Sequence, residues 1–285
     1  AEDGVTSKNY VLTIVREASS DADLTNITLS GKPLSGGFDR ATSTYYEYIA
    51  NNITSMTVAA TTSDVQATYT INGLQSAGGV PLQLVVGENK VTVVVTAADQ
   101  STTKEYTVTI VRAASSNANL LELTMTDLSN HAIALSPVPG TFSYNATVQN
   151  EISVGKLSPV VDDANASISV FVNGVWVEDL DALPLTTGLN VIEVRVTAQD
   201  GSMKMYTINL VRNPSADASL YNLIVSPGEL TPDFQQGISD YSVQVDNSVS
   251  SMDFWINTNN EEASYTLKKN GASAGVTGSR VTLDE

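Results

Sequence analysis

A short motif returns three times along the chain, and this internal repeat limits the possible folds more than any other feature. The motif runs from Tyr to Arg at residues 10–16, 106–112 and 206–212, so successive copies lie about 100 residues apart. Regular self-similarity is the signature of tandem structural units, each stacked on its neighbours. The 285 residues therefore predict a series of similar units rather than one large domain.

Each copy of the motif is followed by a polar joint and then by a strand with one apolar face. The joints contain no glycine and lead into strands that begin at Leu24, Leu120 and Leu220. Farther along, apolar side chains alternate with the two-residue period of a half-buried strand. On this pattern we expect the core to be faced by Tyr46, Tyr48 and Ala50 in the first unit and by Met252, Phe254 and Ile256 in the third.

Turn signals separate these strands at regular intervals. Asn-Gly pairs at residues 72–73, 173–174 and 270–271 predict tight hairpins, because both residues tolerate the positive φ angles that such turns require. No segment shows a sustained 3.6-residue apolar period, which a helix would require. About seven short strands per unit predict an all-β fold, an aligned immunoglobulin-like β-sandwich.

The order of these elements resembles the bacterial cadherin-like β-sandwich domain over nearly the whole chain. The resemblance rests on Leu-x-x-Leu-x-(Val/Leu/Met), Leu-x-Pro-x-Phe at residues 230–234, Tyr-x-Val-x-Val, Asn-Gly, Gly-x-Asn and the Tyr-to-Arg strand. It implies tandem cadherin-like repeats forming a rod in a secreted, cell-surface protein. Such modules accompany surface-layer anchoring domains, adhesive regions or polysaccharide-degrading enzymes.

The predicted domains leave both ends of the chain incomplete. Residues 1–16 match only the closing strand of a preceding or swapped repeat, residues 17–112 and 113–212 form complete repeats, and residues 213–285 form an incomplete one. One interpretation is a fragment of a longer array, whose partners are neighbouring repeats. The other is that residues 1–16 act as a donor strand for the open repeat of an identical chain and build a filament or surface-layer subunit.

The composition excludes several classes of function. With 31 acidic and 14 basic residues the formal charge is −17, which disfavours nucleic acid and anionic membranes. The chain has no apolar run of about 18 residues, so we expect no membrane insertion. It also has no cysteine and therefore no disulfide or thiolate metal site. The single histidine, His131, lies in a polar loop without a recurrent partner, so we expect no enzyme activity.

Acidic residues near the joints raise the question of calcium, which takes six to eight oxygen ligands. The candidate ligands are Asp21, Asp23, Asp99, Asp200 and Asp217. The second joint, however, has Asn117 and Asn119 where the first has Asp21 and Asp23. Asp and Asn before a strand commonly close a local turn with their own backbone. We therefore favour turns over a calcium site and expect no cofactor.

Exposed aromatic side chains could bind the flat faces of sugar rings. The candidates are Trp176, Trp255 and Tyr45, and strand parity places Trp255 and Tyr45 on the outward face. They fall in different units and form no shared platform. We therefore expect a structural or adhesive spacer of a bacterial surface protein, with the filament and a glycan-binding or wall-binding module as the two alternatives.

Overall fold

The computed structural model describes residues 2–75, 78–275 and 279–284. In these ranges the chain forms 24 β-strands and no helix, which confirms the predicted all-β class. The chain divides into two compact units. One comprises Ala1–Leu121, Val161–Ile168 and Val196–Lys204, and the other comprises Glu122–Val160, Ser169–Arg195 and Met205–Glu285.

The first repeat lies entirely in the first unit and consists of two facing sheets. Its strands are β1 (Leu24–Leu29), β2 (Lys32–Pro33), β3 (Thr44–Ile49), β4 (Ser55–Thr62), β5 (Thr68–Ile71), β6 (Val80–Gln83), β7 (Gly87–Thr96) and β8 (Thr103–Arg112). One sheet has the order β2-β1-β4-β6 and the other β3-β8-β7-β5. The core between them is aliphatic: Leu24, Ile27, Val58, Val93 and Ile110 are fully buried.

The last strand of the repeat, β8, lies inside the second sheet between β3 and β7. It pairs antiparallel with β7 from Gly87↔Arg112 to Thr96↔Thr103, and parallel with β3 from Thr44↔Thr107 to Ile49↔Arg112. Parallel neighbours cannot be joined by a tight hairpin, and β3 and β8 are connected through the four strands β4 to β7. We call β8, and its counterpart in each repeat, the closing strand.

The expected inward face of β3 is wrong by one residue. Glu47 is buried, and Tyr45 and Ile49 are partly buried against the core, whereas Tyr46 and Tyr48 are exposed. The carboxylate of Glu47 can lie inside because it accepts hydrogen bonds from Ser35 N at 2.6 Å and Ser35 Oγ at 3.1 Å. A buried acid that is satisfied in this way does not follow the apolar alternation from which the face was predicted.

The second repeat has the same plan. Its strands are β9 (Leu120–Asp127), β10 (Ser136–Pro137), β11 (Ser143–Val148), β12 (Val154–Val161), β13 (Ser167–Val172), β14 (Val175–Val177), β15 (Leu183–Pro184), β16 (Gly188–Thr197) and β17 (Met203–Arg212). The sheets have the orders β15-β12-β9 and β10-β11-β17-β16-β13-β14. The closing strand β17 again pairs parallel, with β11, from Ser143↔Thr207 to Val148↔Arg212.

The third repeat lies in the second unit. Its strands are β18 (Leu220–Ser226), β19 (Leu230–Thr231), β20 (Ser242–Val243), β21 (Ser251–Thr258), β22 (Leu267–Lys269), β23 (Ala272–Gly275) and β24 (Ser279–Thr282). They form the sheets β18-β21-β24, β19-β20 and β22-β23. Met252 and Ile256 are buried and Phe254 is partly buried, while Trp255 is exposed, as the alternation predicted.

The Asn-Gly turns are confirmed in all three repeats. In the first, Asn72 and Gly73 have φ angles of 49° and 78°, and Ile71 and Leu74 exchange backbone hydrogen bonds across the turn. Positive φ at both central residues is the conformation that matches the twist of the flanking strands. Asn173-Gly174 and Asn270-Gly271 have the same pair of positive angles.

Candidate functional site

The tyrosine of the closing strand is the largest of the fully buried side chains in the first repeat. Tyr106 has no exposed surface, and its ring lies 5.7 Å from the ring of Phe38. Its hydroxyl accepts a hydrogen bond from Leu24 N at 3.2 Å and lies 3.3 Å from Asp23 Oδ1, to which it donates. One side chain therefore ties the last strand of the repeat to the first. In the second repeat, Tyr206 and Phe142 form the same pair at 5.3 Å.

The arginine that ends the closing strand makes hydrogen bonds at the end of the repeat opposite to the tyrosine hydroxyl. Arg112 donates from Nε and Nη2 to the carbonyl of Asn51 at 2.9 and 2.6 Å, and from Nη1 to the carbonyl of Leu84 at 3.1 Å. Arg212 makes the corresponding bonds to the carbonyls of Asn150 and Leu185. The planar guanidinium suits this forked arrangement of donors. We call this arrangement the arginine clamp.

The first residue after each clamp is also held. Ala113 donates its N–H to the carbonyl of Ile49, and Asn51 Nδ2 donates to the carbonyl of Ala113 at 3.0 Å. At the second joint, the same two bonds link Asn213 to Val148 and Asn150. The chain therefore leaves each of the first two repeats from a fixed position.

The chain enters each of these repeats beside the turn that precedes the closing strand. Asp99 N donates to the carbonyl of Ser19, and Asp200 N donates to the carbonyl of Ser115, both at 3.0 Å. The carboxylate of Asp99 closes the turn by accepting bonds from Thr102 N, Thr102 Oγ1 and Ser101 N. These hydrogen bonds, that from Thr102 N above all, lower the pKa of Asp99 from 3.8 to about 2.

Residues 1–16 were predicted to supply a closing strand. In the structure they form the turn that precedes such a strand, but not the strand itself. The carboxylate of Asp3 accepts from Val5 N, Thr6 N and Thr6 Oγ1, as Asp99 does in its own turn, and its pKa is lowered to about 2 by the bonds from Thr6. The following residues form no strand. Large apolar side chains of this segment are more than four-fifths exposed: Val5, Tyr10, Val11, Leu12, Ile14 and Val15.

The third repeat has a cavity where the other two repeats hold the closing-strand tyrosine. It has a volume of about 400 Å³ and is lined by Leu220, Leu223, Phe234 and Tyr241, among others. The rings of Phe234 and Tyr241 stack at 5.9 Å and 26°, as those of Phe38 and Tyr45 do at 5.5 Å and 24°. We call this cavity the tyrosine socket. In the described ranges, β20 pairs only with β19.

The calcium candidates are engaged in turns and ion pairs. Asp21, at the first joint, accepts a hydrogen bond from Asp23 N at 2.8 Å, and Asp23 forms an ion pair with Lys104 at 2.7 Å. Asp200 and Asp217 accept bonds from Ser202 N and Ser219 N. Hydrogen bonds from the same two serines lower the pKa values of Asp200 and Asp217. Among the residues described, no three acidic or histidine side chains are gathered as a metal site would require.

The three candidate aromatic residues differ in exposure. Trp176 on β14 is 56% exposed, and Trp255 on β21 is 43% exposed beside Ile224 of the neighbouring strand. The outward orientation expected for Tyr45 is wrong. Its ring packs against the core and stacks on Phe38, while its hydroxyl donates to the carbonyl of Asp39 at 2.6 Å.

The histidine has a partner that the sequence pattern did not reveal. His131 Nδ1 lies 3.0 Å from Asp127 Oδ2, and the same carboxyl group accepts His131 N at 2.9 Å. The backbone bond is the main reason why the pKa of Asp127 is lowered. The imidazole side chain is 80% exposed, so this contact closes a surface loop.

The tyrosine socket and the arginine clamp were not predicted, although the sequence carried a signal for both. Tyr and Arg stand at the two ends of all three copies of the motif, at the same spacing. That regularity identified a repeated strand. It did not show that the two side chains serve opposite ends of the sandwich, because their partners lie 28 to 82 residues away in sequence.

The comparison with known families agrees with this architecture. The profile described as cadherin-like beta sandwich domain matches residues 24–113 and 123–213, more than half of the chain. The chain therefore belongs to the family of cadherin-like β-sandwich domains. A protein of Evansella cellulosilytica described as a membrane protein is 30% identical over 102 residues, which is 35% of this chain and 15% of that protein's length. None of the described residues form a helix that is long and apolar enough to cross a membrane.

The solved structures that match the chain include cadherin extracellular repeats. Repeats EC1–3 of Drosophila N-cadherin are 13% identical, with 86% of this chain and 87% of that chain covered and a TM-score of 0.36. Repeats EC22–24 of mouse cadherin-23 are 13% identical, with 90% and 87% covered and a TM-score of 0.29. Identity at this level concerns the fold alone.

Proposed function

We propose that the chain is a load-bearing spacer of an extracellular, cell-surface protein, built from repeats at residues 17–112, 113–212 and 213–285. One observation carries the proposal: the first two repeats are entered and left at opposite ends of a ten-residue closing strand. Such a strand spans about 33 Å at roughly 3.3 Å per residue. Tandem repeats of this kind increase length with each unit added, as a rod does.

The joint between the first two repeats supports restricted bending. Ala113 is hydrogen-bonded to the exit of the first repeat, and Ser115 is hydrogen-bonded to Asp200 and Gln199 at the entry of the second. Only Ala114 lies between these anchored residues. A linker of one residue without glycine has little conformational freedom, so the repeats are expected to act as a stiff series.

The closing strand also suits a chain that is pulled from both ends. Force applied at the exit acts along β8, across ten residue pairs with β7 and six with β3 at the same time. Bonds loaded together must break together, whereas a hairpin loaded at its tip opens one bond at a time. The clamp of Arg112 adds three charge-assisted bonds at the point where the load arrives.

The proposed location rests on family membership and on composition. The charge of −17 is compatible with a surface exposed to the medium. The two exposed tryptophans, Trp176 and Trp255, lie in different repeats, and binding to wall polysaccharide is the alternative that a direct retention experiment must support. Neighbouring repeats are the partners that the spacer proposal requires.

Single-molecule force spectroscopy on the full chain, held by handles at its ends, tests the proposal. Unfolding of residues 24–112 should lengthen the chain by about 280 Å, given roughly 3.5 Å per extended residue and about 30 Å already spanned. We expect two such events, one each for the first and second repeats. Extension without discrete force peaks would contradict a load-bearing role.

A matched pair of variants tests the clamp. Arg112→Ala should lower the unfolding force of one event and leave the other unchanged. Arg40→Ala is the control, because its side chain is 63% exposed and forms a long ion pair with Asp23, at 3.7 Å. Equal effects of the two substitutions would show that the clamp carries no load.

A further inference from the structure

The larger sheet of the second repeat carries aromatic side chains on its outward face. In the pairing of β13 with β14, Phe171 lies directly opposite Trp176. Directly opposite residues of an antiparallel pair point to the same side of the sheet. Val170 and Val172, on either side of Phe171, are buried, so Phe171 points outward by alternation. Trp176 shares this outward face and is 56% exposed.

The neighbouring strand, β16, adds an arginine that is fixed in place. The central guanidinium carbon of Arg195 lies 4.0 Å from the centre of the Phe171 ring, which is close enough for stacking. Arg195 also donates from Nε and Nη2 to Oε2 of Glu193, at 3.2 and 2.5 Å. Because the ring and the carboxylate both hold the side chain, a ligand that binds it removes little conformational freedom.

Met205 extends this row of side chains onto β17. In the first repeat, Val94 of β7 lies opposite Glu105 of β8. Arg195 and Met205 hold the corresponding positions of the second repeat, so the same register puts Met205 opposite Arg195. Met205 is 51% exposed. The row lies within the second compact unit. We call it the tryptophan row, and its members are Trp176, Phe171, Arg195 and Met205.

The first repeat has no such row, although it has the same plan. The corresponding positions are held by Gln75, Thr70, Val94 and Glu105, which include no aromatic ring and no cation. The fold therefore does not require the tryptophan row. Exposed aromatic groups that the fold does not require indicate a binding surface.

The chemistry of this face suits a neutral ligand with flat apolar faces and many hydroxyl groups. Aromatic rings and a guanidinium plane stack on the flat faces of sugar rings. The ion pair of Arg195 and Glu193 carries no net charge and offers both donors and an acceptor. Farther across the same sheet, Asn209 lies opposite the exposed Asn145, and their amides also donate and accept. An anionic polymer, by contrast, would be repelled by the charge of −17.

We propose that the tryptophan row binds a neutral β-1,4-linked polysaccharide, with one sugar ring stacked on Trp176 and hydroxyl groups hydrogen-bonded to Arg195 and Glu193. Such a chain is a flat ribbon, and the row crosses a sheet in a straight line. Three strand spacings of about 4.8 Å give the row a length of roughly 14 Å, which is the length of a short run of sugar units. The proposal goes beyond the spacer function and does not depend on it.

Affinity electrophoresis of the 285-residue chain in native gels tests the proposal. The neutral probes are hydroxyethylcellulose, glucomannan and arabinoxylan, and polygalacturonate is the anionic probe. We expect at least one neutral probe to slow the chain relative to a gel without polysaccharide, and polygalacturonate to have no effect. The dependence of mobility on probe concentration gives the dissociation constant.

Substitutions in the row should weaken this binding. Trp176→Ala should raise the dissociation constant about 10-fold or more, as loss of a contact of about 1.4 kcal/mol does. Arg195→Lys should also raise it, because an ammonium group keeps the charge but neither stacks nor presents a planar fork of donors.

The matched control is Trp255→Ala, which removes the same indole from the third repeat, where it is 43% exposed. It should leave the dissociation constant unchanged. Both tryptophans lie on the surface, so the thermal unfolding followed by circular dichroism should be the same for the two variants and the natural chain.

Each outcome decides the proposal. Unchanged mobility with all three neutral probes, equal effects of Trp176→Ala and Trp255→Ala, or stronger retardation by polygalacturonate would overturn it. Proline-rich peptides also dock on aromatic side chains, so decaproline is titrated in parallel. Binding of decaproline that depends on Trp176, without binding of any polysaccharide, would replace the sugar ligand by a peptide. None of these results bears on the force peaks of the first two repeats, so failure of the spacer function is separately visible.

Discussion

Removal of one buried hydroxyl, in the substitution Tyr106→Phe, should destabilise the first repeat without changing its shape. The ring keeps its contact with Phe38, but Leu24 N loses its acceptor, and Leu24 is fully buried. A buried donor left without a partner costs about 1–3 kcal/mol. The lost bonds are long, at 3.2 and 3.3 Å, so we expect the lower half of that range, about 1–2 kcal/mol.

The two tryptophans make this effect measurable in the intact chain. Trp176 and Trp255 lie in the second and third repeats, so tryptophan fluorescence does not report on residues 24–112, whereas far-ultraviolet circular dichroism reports on all repeats. For a domain of this size, each kcal/mol lowers Tm by about 4–8 °C. For a loss of about 1–2 kcal/mol, we expect one component of the dichroism transition to fall by roughly 4–16 °C and the fluorescence transition to stay in place.

The control is Tyr46→Phe, in which a hydroxyl is removed from a side chain that is 58% exposed. It should change the free energy of unfolding by less than about 0.5 kcal/mol. If Tyr106→Phe were equally neutral, the hydroxyl would not tie the first and last strands together. If both spectroscopic transitions moved together, the repeats would not unfold independently.

Three further predictions concern single positions. Gly79→Ala should destabilise the first repeat more than Gly87→Ala does, although both glycines have φ near +90°. The reason is that a Cβ at Gly79 would lie 2.7 Å from a β4 carbonyl, whereas a Cβ at Gly87 would meet no atom within 4 Å. Comparison of the urea midpoints of the two variants checks this. The pKa of Asp99 is about 2 in the folded protein and 3.8 ordinarily. The contribution of the Asp99 carboxylate to the stability of the fold is therefore complete above pH 3.8 and is lost as the pH falls toward 2. The Tm difference between Asp99→Asn and the natural chain should therefore shrink across that window. Trp255→Ala should leave retention on wall polysaccharide unchanged if the chain is a spacer, and reduced retention would favour the glycan alternative.

The fold could be predicted from sequence where the signal was local. The Asn-Gly turns and the outward Trp255 follow from backbone preference and strand parity, which involve only neighbouring residues. The inward face of β3 could not be predicted from neighbouring residues, because the burial of Glu47 depends on Ser35, twelve residues away across a loop. An acid ranks as polar in any alternation pattern, and only its hydrogen-bond partners make it an inward residue.

The functional sites were less accessible to sequence reasoning for a related reason. Arg112 and Tyr106 were recognised as the ends of a repeated motif, but all hydrogen bonds of Arg112 named above and one of those of Tyr106 are to backbone atoms, which carry no residue-specific signal. The same carbonyl at Asn51 or Leu84 could be presented by any residue. A pattern of side chains thus identified the donor side of the socket and of the clamp but could not identify the acceptor side.

The closing strand docks in each of the first two repeats as a ligand would. The hydroxyl of Tyr106 and the guanidinium of Arg112 bind groups that are 82, 61 and 28 residues away in sequence. The backbone connection supplies none of these contacts; it raises the effective concentration of the strand at its site, to the millimolar range for short flexible links.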